Sequence, residues 1–205
     1  MSSAPKHRYT VEEYLALEAK SERKHEYYDG EIFAMAGASP DHVRIVGNLA
    51  RILGTQFYNQ PCEVFTADLR VKTKRELYTY PDAAIVCEEP NFEGLKLKTL
   101  TNPLVLLEVL SDSTEEYDRK IKFEHYKMIL SLREYVLISQ DEARVEVFIK
   151  GTDGKWPEAP LIYSGLDASA KFAAVPCQLP LADIYHKVEF DPTLEIRRGN
   201  PSFDE

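Results

Sequence analysis

Hydrophobic residues follow two different periods along the chain, and the change between them predicts where helices and strands lie. Thr10 followed by Glu13 has the pattern of a capping box and predicts the start of a first helix. Asp29-Gly30 separates two short strand-like runs and predicts a β-hairpin. Ser39-Pro40 predicts the start of a second helix. The apolar positions expected to form the buried stripe of that helix are Val43, Val46, Leu49, Ala50 and Leu53.

After Pro61 the period of two that is typical of strands prevails. Ser113-Thr114-Glu115-Glu116 has a capping-box pattern and predicts a third helix that runs to about Leu130. The segment 151–160, with its glycines and prolines, is expected to be a loop. The predicted strands are 62–65, 69–73, 81–87, 103–110, 135–138, 144–149 and a last one at 161–164. This order of elements favours an α/β domain built on a mixed sheet.

One predicted strand, 69–73, carries a clear alternation of side chains. Its residues expected to point inward are Leu69, Val71 and Thr73, and those expected to point outward are Arg70, Lys72 and Lys74. Together with Arg44, Arg51 and Arg75 these cations make the region basic, although the chain has a net charge of −9. Two interpretations stay open: a local nucleic-acid-binding face, or a solvated strand edge protected by lysines.

Length and composition are those of one globular domain, predicted to span residues 1–190 and to be followed by a polar tail, 191–205. No apolar run approaches the roughly 18 residues of a membrane span, and the N-terminus lacks the apolar stretch of a secretory signal. We therefore expect a cytoplasmic protein without a membrane partner. The three cysteines, Cys62, Cys87 and Cys177, are far apart and odd in number, so free thiols are expected.

Two acids stand in apolar surroundings that make them candidates for chemistry. Asp82 opens one predicted inner strand and Glu108 lies toward the end of another. An ionised carboxylate is costly there unless it is paired or binds a metal. If the two strands are antiparallel neighbours, the acids meet and bind a divalent cation, with the carbonyl of Val109 as a third oxygen ligand. Lys122, shortly downstream, would complete a hydrolytic centre.

These motifs resemble the restriction-endonuclease-like PD-(D/E)XK nuclease superfamily, whose pattern is Pro-Asp followed by a strand that ends in Glu-X-Lys. Leu110 stands where that lysine usually lies. The bacterial family labelled putative restriction endonucleases shares this departure. The matching segments of the present chain are His25–Glu31, Ser39-Pro40-Asp41-His42, Pro81-Asp82, Glu108–Thr114, Tyr117–Tyr126 and Glu134–Ser139.

The resemblance implies a fold, an activity and a set of site residues. The fold would be a restriction-endonuclease-like mixed β-sheet core flanked by helices. The activity would be Mg²⁺- or Mn²⁺-dependent hydrolysis of phosphodiester bonds, with DNA as the nucleic-acid partner. Because duplex DNA has two strands, a homodimer that presents two sites is the expected assembly. The implied catalytic residues are Asp82, Glu108, Lys122 and Glu31, and His42, Asp118 and Ser111 would contact substrate or support the site.

Several of these residues also have a structural interpretation. Lys122 and Asp118 are four residues apart, so they would also form an ordinary surface ion pair on a helix. Glu31 would be a solvated strand carboxylate, His42 a capping or packing residue, and Ser111 part of a turn. Tyr27, Tyr28 and Tyr80 are candidates for stacking on bases, with core packing as the alternative.

Two rival functions also stay open. Because the lysine is displaced, the chain would serve as a DNA- or protein-binding module that keeps the fold without turnover. Because the overall charge is acidic, a hydrolase of small nucleotides or other phosphate esters is a weaker rival.

Overall fold

The computed structural model describes residues 7–74, 76–94 and 98–191. The predicted polar tail therefore lies, except for Asp191, outside the described residues. The helices are α1 (Val11–Glu18), α2 (Pro40–Phe57), α3 (Glu115–Tyr117), α4 (Phe123–Tyr126) and α5 (Leu181–Ile184), and a π-helical turn (Asp118–Lys122) joins α3 to α4.

The strands form two six-stranded sheets and a small hairpin. They are β1 (His25–Tyr28), β2 (Glu31–Ala34), β3 (Glu63–Thr66), β4 (Arg70–Lys72), β5 (Tyr78–Thr79), β6 (Ala83–Val86), β7 (Phe92–Glu93), β8 (Thr99–Leu100), β9 (Val105–Val109), β10 (Glu134–Ile138), β11 (Arg144–Ile149), β12 (Leu161–Ser164), β13 (Ser169–Lys171) and β14 (Gln178–Pro180). The central sheet has the order β12-β11-β10-β9-β6-β3, the outer sheet has the order β2-β1-β5-β4-β8-β7, and β13 pairs with β14.

Local signals at the start of the chain fold as predicted. The Thr10 hydroxyl accepts a hydrogen bond from the Glu13 amide at 3.2 Å, and the Glu13 carboxylate accepts one from the Thr10 amide at 2.8 Å. Asp29 and Gly30 adopt φ angles of +46° and +79°, which the tight turn between β1 and β2 requires. Ser39 caps α2 by accepting a hydrogen bond from the His42 amide at 3.0 Å. The two helix starts and the hairpin are therefore confirmed.

The two apolar runs that carry the acids are inner strands of the central sheet, as predicted. β9 lies between β6, with which it is antiparallel, and β10, with which it is parallel. β10 and β11 form the predicted antiparallel pair. The predicted loop between β11 and β12 is also present. The mixed α/β prediction is thus correct.

Each face of the central sheet has its own hydrophobic core. Val105, Leu107 and Val109 of β9 point toward α2 and α5, whereas Leu106 and Leu110 point toward α4 and the outer sheet. The buried stripe of α2 differs from the predicted one. Val43 is exposed, and the face that is buried is rotated around the helix axis relative to the predicted face. The buried residues are Ile45, Leu49, Ile52, Leu53 and Phe57, and Val46 is partly buried.

The third helix departs from its prediction. Thr114 rather than Ser113 precedes its first turn, and its side chain makes no capping hydrogen bond. The helical segment ends at Tyr126 instead of Leu130, which is 70% exposed. Its middle is the π-helical turn, in which the wider i→i+5 bonding rotates the following residues around the axis.

Three other predictions are wrong in part. Arg70 is buried rather than outward, because its Nε donates to Thr99 Oγ1 at 2.9 Å and its guanidinium lies over the ring of Tyr14. Cys62 and Cys87 are not free: they follow the antiparallel register of β3 and β6 and form a disulfide, which leaves Cys177 as a buried thiol. β12 is not the last strand, since β13, β14 and α5 follow it.

In the part of the chain that the structure describes, no helix is both long enough and apolar enough to cross a membrane.

Candidate active site

Asp82 and Glu108 lie side by side on neighbouring strands. The register of β6 against β9 pairs Ala83 with Leu107, and its continuation by one residue places Asp82 opposite Glu108. Directly opposite residues of an antiparallel pair project from the same face of the sheet. The two strands are therefore antiparallel neighbours with the acids opposite each other, the arrangement on which the sequence made a shared site conditional.

Asp82 is held by contacts from two elements, β9 and α2. Its Oδ2 accepts a hydrogen bond from the Val109 amide at 2.7 Å, and its Oδ1 lies 2.9 Å from Nε2 of His42 on α2. The side chains of Asp82 and His42 are 18% and 19% exposed, so this end of the site is open to water. His42 also receives a defined position from the Ser39 cap.

Glu108 is buried and its contacts come from the helical segment. Its Oε1 accepts a hydrogen bond from the Tyr126 hydroxyl at 2.8 Å and lies 3.0 Å from the ammonium of Lys122. Lys122 is itself buried, 5% exposed, and its ammonium lies 3.1 Å from Oδ1 of Asp118. Lys122 therefore reaches the strand glutamate from the π-helical turn.

A further acid, Glu26 on β1, completes this arrangement. Its Oε1 lies 3.4 Å from the Lys122 ammonium and accepts a hydrogen bond from the Thr79 hydroxyl. Sequence reasoning chose Glu31 from this hairpin and missed Glu26. The signal that could have found it is the strand period of two, which places Glu26 and Tyr28 on one face and Tyr27 on the other. Below, Glu26, Asp82, Glu108 and Asp118 are called the acidic cluster.

Burial is the largest influence on the pKa of both Glu108 and Asp118. It raises the pKa of Glu108 well above its ordinary value, although Lys122 opposes the shift, and the charges of Asp118 and Asp82 add to it. Burial also raises the pKa of Asp118 against the same opposition from Lys122. For Lys122 burial would lower the pKa, but the attraction of Glu108 and Glu26 prevails and the pKa is well above 10.5. One ammonium thus lies among several acids, and burial favours the protonated forms of Glu108 and Asp118.

The remaining predicted residues lie near the cluster in different positions. Glu31 pairs in register with Tyr28, so it lies on the same face of the hairpin as Glu26. The Ser111 hydroxyl lies 2.9 Å from the Thr114 hydroxyl and 3.2 Å from that of Ser113. This places Ser111 within the turn between β9 and α3.

The same side chains determine whether the site can bind a metal ion. Within residues 7–74, 76–94 and 98–191, no group of three or more His, Cys, Asp or Glu side chains is arranged to hold a metal ion. Mg²⁺, however, is commonly bound through one or two carboxylates, and waters and substrate phosphate oxygens fill its other positions. The carboxylate oxygens of Asp82 and Glu108 are donors of the kind that fit such an ion.

Comparison with known proteins identifies the family. Residues 11–182 match the Uma2 family, described as putative restriction endonucleases. The chain belongs to this family. The match covers all members of the acidic cluster together with Lys122.

Two relatives and one solved structure are also similar to this chain. The chain is 39% identical to the uncharacterized protein sll1609 of Synechocystis sp. over 148 residues, which are 72% of this chain and 84% of that protein. It is 35% identical to the uncharacterized protein slr1290 of the same organism, over 75% of this chain and 80% of the relative. A crystal structure of a putative nuclease belonging to DUF820 from Anabaena variabilis superposes with a TM-score of 0.69 at 19% identity, and covers 86% of this chain and 97% of that one. This last likeness supports the restriction-endonuclease-like fold.

Proposed function

We propose that the protein is a metal-dependent endonuclease that hydrolyses phosphodiester bonds in DNA, with Mg²⁺ or Mn²⁺ as its cofactor. The observation that carries the proposal is the register of β6 and β9, which sets Asp82 opposite Glu108, with Lys122 only 3.0 Å from the glutamate. Two acids can hold the ion that assists phosphodiester hydrolysis, and a lysine beside them can stabilise the negative charge that develops on the phosphate.

In this proposal Asp82, Glu108 and the Val109 carbonyl hold the ion, and Glu26 and Glu31 add negative charge beside it. A bound divalent cation would polarise the phosphate and lower the pKa of a water that attacks it. Lys122 is positioned by Asp118 and Glu26, so its ammonium stabilises negative charge near Glu108. His42, in contact with Asp82 at the open end, lies where the substrate would enter. A cytoplasmic homodimer would present two such sites to the two strands of a duplex.

A plasmid-nicking assay with Mg²⁺ or Mn²⁺ tests this proposal. Nicking is expected in the wild type, Glu108→Ala should eliminate it, and Lys122→Ala should reduce it by on the order of 10²-fold or more. Glu116→Gln is the matched control, because this acid is exposed and pairs only with the exposed Lys120 in the contacts described. Unchanged cleavage in folded Lys122→Ala would remove this residue from the mechanism. Oligonucleotide and mononucleotide substrates in the same assay test the rival hydrolase of small nucleotides.

One observation favours a second candidate, a nucleic-acid- or protein-binding module without turnover. Oε1 of Glu108 is already engaged by both Tyr126 and Lys122, so an ion would compete with these groups. Calorimetric titration with Mn²⁺ separates the candidates. Binding that Asp82→Ala abolishes supports the enzyme, whereas a wild type that binds no Mn²⁺ supports the module.

A further inference from the structure

Phe33 is an aromatic residue in an unusual position. It lies on β2, the edge strand of the outer sheet, directly opposite Glu26 on β1. Residues paired in this way share one face of the sheet. That face carries Glu26 toward Lys122, whereas the other face carries Tyr27 toward the core beneath α1. Phe33 nevertheless remains 47% exposed.

A row of side chains across the outer sheet leads from the core to this exposed ring. Val71 on β4 is buried in the core, Thr79 on β5 pairs with it in register, and Glu26 accepts the Thr79 hydrogen bond. Phe33 is the outermost member of the row. Directly opposite side chains have Cβ atoms roughly 5 Å apart. Phe33 is therefore a direct neighbour of the acidic cluster at its solvent-facing border.

The chain beyond Phe33 has a composition that suits contact with uncharged parts of a ligand. Residues 33–38, Phe-Ala-Met-Ala-Gly-Ala, contain no charged side chain, although 29% of the whole sequence is charged. All of them except Met35 are exposed. The run ends at Ser39, whose helix carries His42 to Asp82. Residues 33–38 thus form an uncharged, mostly exposed segment that runs from the neighbour of Glu26 to the helix that contacts Asp82.

The other aromatic residues considered for stacking are either packed within the fold or far from the acidic cluster. Tyr27 and Tyr80 are buried, and the ring of Tyr28 packs edge-on against His125 with 4.7 Å between centroids. Tyr58 is 85% exposed, but it follows α2 at the end opposite His42, about 24 Å away along the helix. Phe33 combines exposure with adjacency to the cluster.

We propose that Phe33 is a base-stacking residue that packs against an unpaired nucleobase of the strand whose phosphate lies at the acidic cluster. This inference rests on the proposed function. A phenyl ring offers no hydrogen bond, so it recognises a base through its flat face, and in a stacked duplex those faces are covered. Acids repel the phosphates on either side of the scissile bond, so stacking supplies attraction that charge does not.

Two fluorescent single-stranded ligands of equal length test the stacking: a thymidine oligonucleotide, and an oligomer with the same phosphates but abasic sugars. Affinity is measured by anisotropy in EDTA, and as KM for cleavage in Mg²⁺. Phe33→Ala should weaken binding of the thymidine oligonucleotide roughly 10- to 100-fold, the range for removal of one stacking side chain, and leave the abasic oligomer unaffected. Phe33→Trp should preserve binding, and kcat should change little.

Matched variants make the outcome decisive. Phe33→Leu keeps an apolar side chain but removes the ring, so it should lose affinity as Phe33→Ala does. If Phe33→Leu retains full affinity, the side chain acts as an apolar wedge and the stacking proposal is wrong. Tyr58→Ala should leave both ligands unaffected.

The test also separates this inference from the function on which it rests. A wild type that binds or cleaves the oligonucleotide, together with a Phe33→Ala variant that behaves identically or loses both ligands equally, overturns the stacking role alone. A wild type that binds and cleaves no single-stranded oligonucleotide overturns the stacking role, and a wild type that also fails to nick plasmid DNA overturns the proposed function as well. Since Phe33 is half exposed, the variants are expected to fold, and thermal unfolding checks this.

Discussion

Replacement of Lys122 by methionine tests whether this lysine is the main compensating cation of the cluster. Its ammonium lies 3.0 Å from Glu108, 3.1 Å from Asp118 and 3.4 Å from Glu26, and its side chain is 7% exposed. Methionine keeps most of the side-chain volume and removes the charge. Removal of one partner from a buried ion pair costs about 3–5 kcal/mol. In EDTA at neutral pH, Lys122→Met should lower the free energy of unfolding by about that amount.

The assay is urea denaturation followed by circular dichroism, repeated across a pH series. Burial already raises the pKa of Glu108 and Asp118, and loss of Lys122 raises both further. An acid whose pKa is higher in the folded than in the unfolded state binds its proton more readily when folded. The difference in unfolding free energy between Lys122→Met and the wild type should therefore become smaller as the pH falls. The decrease is expected between the raised pKa values of Glu108 and Asp118 and the ordinary acid pKa near 4.

Lys120→Met is the matched control. Lys120 also pairs with an acid four residues earlier, Glu116, at 2.8 Å on the same helical segment, but both side chains are more than two thirds exposed. Its unfolding curve should be the same as that of the wild type. If Lys122→Met is as stable as the wild type at neutral pH, or if its deficit grows on acidification, the assignment of Lys122 as the compensating cation is refuted. Added Mg²⁺ should stabilise Lys122→Met more than the wild type.

Three further outcomes are expected. Glu146→Gln should lower stability by about 1–3 kcal/mol at pH 7, because Arg119 and Arg144 donate hydrogen bonds of 2.7–3.0 Å to this carboxylate. These contacts outweigh burial and lower its pKa, so the difference from the wild type, measured by denaturation across pH, should vanish as the pH falls below the ordinary value near 4.5. Gly30→Ala should lower Tm through a cost of about 1 kcal/mol or more, because the φ of Gly30 is +79°. Leu107→Ala should cost about 2–5 kcal/mol in urea denaturation, since this side chain is fully buried; a loss below 1 kcal/mol would contradict the assigned core.

Features that depend on neighbouring residues were predictable from the sequence. The capping box at Thr10, the turn at Asp29-Gly30 and the Ser39 cap are decided within a few residues. The apolar runs around Asp82 and Glu108 also predicted inner strands, because burial on both faces leaves a continuous apolar pattern.

Features that depend on the packing of distant elements were not predictable in the same way. Arg70 is in a strand whose alternation points it outward, yet Thr99 and the aromatic rings of the outer sheet bury it. The disulfide of Cys62 and Cys87 depends on which strands are neighbours. The position of Glu26 beside Lys122 depends on how the hairpin lies against the helical segment.

The route by which the lysine reaches the strand glutamate has a consequence for how this protein can change over evolutionary time. Leu110, 4% exposed, follows β9 directly and packs in the hydrophobic core, whereas the ammonium beside Glu108 comes from a helical turn. The charge beside Glu108 and the packing at position 110 are therefore supplied by different segments of the chain. A substitution at position 110 therefore changes the packing of the core without removing the ammonium, and a substitution of Lys122 removes the ammonium without removing the side chain of Leu110 from the core.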